Sequence, residues 1–216
     1  MEHDLSVLNQ EAAKLVQQYL AGNAHAFHSL VQLYGQRVLR IVKKMVFSYH
    51  DVEDLHNEIW LKVAQHLHKF DTSLPFHSWL YRIASNACID FLRKKKEVVM
   101  DDEQLLSQVN QWPAMEQHTP ESRLLQKEFQ AQVENLLSCL DETDRLILTL
   151  RFAEEMSYDE IGSIVGMSKN TVGTRLFRAR KLLKEMLEQQ PSERRDANAA
   201  LGSFDVDDVS GCRIVR

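Results

Sequence analysis

Glycine and proline are scarce in this chain, seven and four among 216 residues. No stretch alternates apolar and polar residues as a half-buried strand would. Both absences argue against a sheet and for an all-α protein. Cysteine is scarcer still. Cys88, Cys139 and Cys212 are far apart, odd in number and match no paired spacing, which fits a reducing compartment. Cys88 and Cys139 fall inside helical patterns, where a thiol serves as a small apolar residue. No segment is apolar and long enough to cross a bilayer, and the N-terminus has no signal-peptide core. The chain is therefore expected to be cytoplasmic, without membrane insertion. Its length allows one large or two small domains, and its 44% of hydrophobic residues can fill a core of normal size.

An excess of cations is also missing, since the formal net charge is −5. The charges are segregated, however. Residues 78–96 hold five basic side chains against one acidic, and 161–187 hold six against one. Between them, 97–160 hold four against fifteen. Two positive surfaces flanking an acidic stretch suggest two DNA contacts on one chain. A merely solvated middle segment explains the acidic stretch equally well.

Apolar periodicity places helices at about 10–20, 24–47, 51–68 with Asp51 as cap, and 76–95, with a loop at Phe70–Pro75. These form a first small helical domain, 1–96. Periodicity fades over 97–120, where Pro113 and Pro120 interrupt, so this reads as a flexible linker with a short helical piece near Leu105–Val109. A second small helical domain, 121–190, has helices at 121–138 and 142–153 and then a capped pair. The tail, 191–216, is polar and aperiodic and reads as disordered.

The capped pair spans 157–187. Ser157 with Glu160 forms a capping box, Gly166 can end the first helix in a left-handed residue, and Ser168 can cap the second. Val172, Leu176, Ala179 and Leu183 face inward, leaving Asn170, Thr171, Thr174, Arg175, Arg178 and Lys181 outward. That is the layout of a helix-turn-helix whose second helix enters the major groove; the plainer reading is an amphipathic helix with a solvated basic face.

The helix at 76–96 divides as cleanly. Phe76, Leu80, Ile83, Ala84, Ala87 and Phe91 form its core side, while Arg82, Asn86, Asp90 and Arg93 step along another face, with Lys94 extending the basic end. Cations for phosphate are joined there by an amide and a carboxylate that can hydrogen-bond bases. Trp79 and Tyr81 offer rings on which an unstacked base could rest. Internal salt bridging over a buried tryptophan is the competing interpretation of the same stripe.

Taken together, these blocks resemble the extracytoplasmic-function (ECF) sigma factors of the sigma-70 family. WLYRIASNACIDFLRKKK is similar to the promoter-reading helix of region 2, DVEDLHNEIWLKVAQHL to the helix before it, and LILTLRFAEEMSYDEIGSIVGMSKNTVGTRLFRARKLL to region 4. The likeness covers roughly 11–95 and 125–187, in order. It implies that Asp51, Asp54, Leu55, Asn57, Glu58, Trp60 and Lys62 lie on the helix that docks on the β′ clamp of RNA polymerase. It implies that Asn86 helps receive a flipped-out base of the −10 element, with loop 70–76 as a pocket wall and Trp79 and Arg82 supporting the melted strand. Thr174, Arg175, Phe177 and Arg178 match recognition-helix positions at the −35 element. Core polymerase (β′ clamp and β flap), promoter DNA and an anti-sigma factor are the implied partners, with no small-molecule substrate and no cofactor. Asn57, Asp141, Gly162, Asn170 and Gly173 depart from the usual pattern, and the last two leave the −35 sequence open.

Two other functions fit parts of the sequence. A helix-turn-helix regulator with an N-terminal sensor domain explains 157–187 but neither the aromatic basic helix nor DVEDL. A metal enzyme is suggested by nine histidines. Yet His66 and His68 are two apart on a helix and face different ways, and His25 with His28 has no cysteine or carboxylate cluster beside it. No phosphate loop, nucleophile elbow or carboxylate dyad accompanies them either. No catalytic residue and no metal site is therefore expected.

Overall fold

The computed structural model describes residues 2–101 and 132–188. Every regular element among them is helical: α1 (Glu2–Leu20), α2 (Ala24–Met45), α3 (Tyr49–His66), a 3-10 turn (Leu67–Lys69), α4 (Phe76–Asp101), α5 (132–138), α6 (Glu142–Phe152), α7 (Tyr158–Val165) and α8 (Lys169–Glu188). The expected helix-only architecture is what forms. The expected short helix at Leu105–Val109, most of the 97–120 linker, the start of the 121–138 helix and the 191–216 tail lie outside the described residues.

Burial follows periodicity. Ala26, Leu30, Tyr34, Val38, Ile41, Val42 and Met45 recur every three or four residues along α2 and are all buried. They meet Val52, Leu55, Ile59 and Val63 of α3 and Phe76, Leu80, Ala84 and Ala87 of α4. The apolar cluster continues through Leu140, Leu146, Ile147 and Leu150 into Ile161, Ile164, Val172 and Leu176. The two helical units thus share a boundary, with α2 packed on α6 and α4 on α7.

Several bounds differ from expectation. Ser48, not Asp51, caps α3, its hydroxyl accepting from the Asp51 amide at 3.4 Å. Asp51 sits inside the first turn, where a carboxylate favours the positive helix end, and its oxygen takes the Lys95 ammonium at 2.6 Å. Both residue types can cap a helix, and here the upstream one does so. α1 begins well before residue 10, and α4 continues to Asp101, past the expected end at 95. Cys88 is buried as expected; Cys139 is exposed in the turn after α5, not an inward apolar residue.

Candidate nucleic-acid interface

On α4 the inward row Phe76, Leu80, Ala84, Ala87 and Cys88 is buried, so the intervening Arg82, Asn86, Asp90, Arg93 and Lys94 reach the surface. Trp79 is half-buried against Phe70 and Phe76, with ring centroids 5.2 and 5.7 Å away. It anchors the loop before α4. That loop is a built turn: the Asp71 carboxylate accepts from the Ser73 amide at 2.9 Å, and the Leu74 amide donates to the Asp71 carbonyl at 3.0 Å. The Ser73 amide holds the Asp71 carboxyl below the usual carboxylate range, and Leu74 at the tip is exposed.

Tyr81 is a correction. Its ring is buried and its hydroxyl donates to Glu154 Oε2 at 2.7 Å, so it offers no face to a base here. Burial, reinforced by the Glu154 charge, pushes its phenol well above the ordinary range.

Along α3, Asp54, Asn57 and Glu58 are exposed, and Lys62 pairs with Glu58 at 2.7 Å. Leu55 and Trp60 are buried in the core, with the Trp60 indole donating to His56 Nε2 at 3.1 Å. These two hold α3 against the core and do not face outward. Leu61, 60% exposed, was not singled out from the sequence. Its spacing from Asp54 and Glu58, seven and three residues, is the signal that could have found it.

The helix-turn-helix forms as its caps demand. Ser157 Oγ accepts from the Glu160 amide at 3.3 Å while Glu160 Oε2 accepts from the Ser157 amide at 2.8 Å. Gly166 has φ 71°, and Ser168 Oγ accepts from the Thr171 amide at 3.2 Å. A Cβ at Gly162 would stand 2.5 Å from the Met167 carbonyl oxygen, so the departure from alanine here permits a close turn. Val172, Leu176 and Ala179 are buried and Leu183 is half-buried. Asn170, Thr171, Thr174, Phe177, Arg178 and Lys181 are exposed. Arg175 is engaged otherwise: its guanidinium donates to Asp144 at 2.6 Å and to Asp141 at 3.2 Å, pinning α8 to α6. The bond to Asp144 and the charge of both carboxylates raise its pKa further. Asp141, where the pattern usually has proline, thus begins α6 without a side-chain cap and serves α8 instead.

The two polar faces are not equally open. Asn86, Asp90 and Arg93 share a cavity of about 230 Å³ with Ile164, Val165 and Met167 of the helix-turn-helix. Arg82 donates to the Ser163 carbonyl. Among the described residues, nothing walls the outward face of α8 in this way.

Comparisons with known proteins accord with this geometry. The family model for sigma-70 region 2 matches residues 30–98 and that for sigma-70 region 4 matches residues 130–183. The ECF RNA polymerase sigma-E factor of Escherichia coli K12 is 31% identical over 185 residues, covering 84% of this chain and 95% of the relative. Two solved structures share the fold. CnrH in complex with the cytosolic domain of CnrY has a TM-score of 0.62 at 24% identity, covering 84% of this chain and 99% of that one. RpoE from Bartonella quintana in complex with the anti-sigma factor NepR has a TM-score of 0.60 at 19% identity, covering 76% and 98%. With both regions matched in order and the relative spanned almost whole, this chain belongs to the sigma-70 family as an ECF sigma factor, a promoter-recognising subunit of RNA polymerase.

Proposed function

We propose how the promoter-reading work is divided among the helices. Unit 1–96 engages polymerase and the −10 element, 97–120 links, and 121–190 reads the −35 element. The observation that supports this most is that α4 and α8 each bury one apolar row and present a polar, cationic one. A sigma factor makes no covalent bond; it supplies reading surfaces to an enzyme that lacks them. On α8, Thr171, Thr174, Phe177, Arg178 and Lys181 meet duplex edges and phosphates, each good base contact contributing roughly 1–3 kcal/mol of discrimination. Arg175 positions the helix through Asp141 and Asp144. On α4, Asn86 receives an unstacked base against the 71–75 turn, and Arg82, Arg93 and Lys94 hold the strand's phosphates. Each captured base offsets the few kcal/mol needed to unpair it. Asp54, Asn57, Glu58 and Leu61 form the outer face that meets the β′ clamp, and the α6–α8 unit meets the β flap. The work is cytoplasmic, where polymerase and promoters are; no described helix is long and apolar enough to cross a membrane. An anti-sigma factor, of the kind seated on the Bartonella RpoE, is the regulatory partner we assign.

Reconstituted transcription tests this division. Asn86→Ala should lower strand opening, read by permanganate reactivity at the −10 element, by about tenfold or more while promoter association persists. Arg178→Ala should weaken association itself by a similar factor. Wild-type opening and association by both variants would contradict the assignment.

A further inference from the structure

The connection between α6 and α7 carries a carboxylate in an unusual place. Glu154 has no exposed side-chain surface. Burying a carboxylate is costly unless it is fully paired, and all its partners lie on the other helical unit. Tyr81 of α4 donates to it at 2.7 Å, Arg40 Nε of α2 at 3.1 Å, and Arg37 Nη1 stands 3.5 Å away. The adjoining Glu155 has φ 55°, the one positive φ outside glycine among the described residues, a backbone state kept only where surroundings enforce it. More polar ties cross the same boundary. Arg145 Nη1 donates to the Met45 carbonyl at 3.0 Å, Arg82 donates to the Ser163 carbonyl, and His77 Nε2 lies 3.6 Å from Glu160.

We propose that the free chain is latched shut by Glu154, plugged into the α2–α4 surface, and that engaging polymerase and −10 DNA requires its withdrawal. A single strand tracks a continuous cationic groove. Here the groove beside Asn86 and Arg93 is walled by α7 and its turn, and Arg82 is occupied by Ser163. Among the described residues the α8 face stays open, so the latch acts on −10 reading and not on −35 reading. Its polar character suits reversal. Arg40 and Arg37 are 51% and 24% exposed and can rehydrate once Glu154 leaves. Because only part of the population is then competent to bind, apparent affinity for polymerase is reduced by that fraction. The inference rests on the sigma-factor reading for its consequence, though not for its geometry.

The test uses the full chain with Cys139→Ser and Cys212→Ser and spin labels at Gln36→Cys and Lys184→Cys. A carboxylate hydrogen-bonded to arginine and tyrosine should bias the closed state by about tenfold or more. Pulsed electron resonance should give one narrow distance with Glu154 present and a broad, longer distribution in Glu154→Ala. In run-off assays without labels, Glu154→Ala should reach half-maximal transcription at about a tenfold lower concentration, with the same plateau. Should Glu154→Ala fail to fold by circular dichroism, Arg40→Met loosens the latch from the α2 side and should shift both readouts the same way. A broad distribution in the parent, or unchanged distance and half-saturation in the variants, would overturn the latch. Absence of any transcription by the parent would count against the sigma reading instead, and the distance measurement would still decide the latch.

Discussion

His77 shows what burial does to a single titratable residue at the boundary between the units. Its Nδ1 faces Asn9 at 2.9 Å, its amide donates to Asn9 at 3.3 Å, and Glu160 stands near its other nitrogen. Desolvation dominates and lowers its pKa, against the pull of Glu160. Half-buried His56 is shifted the same way by the same cause. Unfolded, both take a proton near pH 6.5; folded, they take it only at lower pH. The stability they contribute is therefore complete above about pH 6.5 and lost as pH falls below it. Thermal unfolding from pH 7.5 down to pH 5.5 should show a falling Tm, and His77→Gln should flatten part of that slope. A Tm indifferent to pH across this window would show that His77 is solvated. Cys88 illustrates the same physics, since burial pushes its thiol up to about 12 and leaves it inert.

At the scale of elements, the helix-turn-helix is held by backbone chemistry that glycine alone supplies at one position and weakens at another. Gly166 ends α7 at φ 71°, where any Cβ is strained, so Gly166→Ala should cost about 1–2 kcal/mol. Gly173 lies inside α8, and a Cβ there would meet only the Tyr158 ring at an ordinary 3.6 Å. Gly173→Ala should therefore stabilise the helix by about 0.5–1 kcal/mol. Urea unfolding measures both, and shifts of the same sign would refute the distinction. These caps were legible in the sequence because they act locally: Ser157, Glu160 and Ser168 each accept from an amide three residues away, and Gly166 takes a left-handed conformation that its own lack of a Cβ allows. The start of α3 was misplaced for a related reason: Ser48 and Asp51 are both good cap residues three apart, and local sequence does not choose between them. The outward row of α4 was legible from its spacing, whereas the fates of Tyr81, Leu55 and Trp60 were not. Helical phase places a residue on a side of the helix but does not say which neighbour covers that side.

For the whole molecule, the latch lies beyond local reading. Glu154 and Tyr81 are 73 residues apart, and Arg40 and Glu154 are 114 apart. A glutamate in FAEEMS looks like a solvated loop residue until tertiary contact buries it. The charge distribution was legible and remains informative. A chain of net charge −5 with one cationic face walled off should bind duplex DNA weakly alone and become promoter-specific only within polymerase. The most direct measurement is run-off transcription by core polymerase over a pool of promoters, with and without this protein. Transcripts should arise only when the protein is added, and the active promoters should share two motifs, −35 and −10, at one fixed spacing. No added transcripts, or tight specific promoter binding by the protein without polymerase, would contradict a bipartite reader that works through the enzyme.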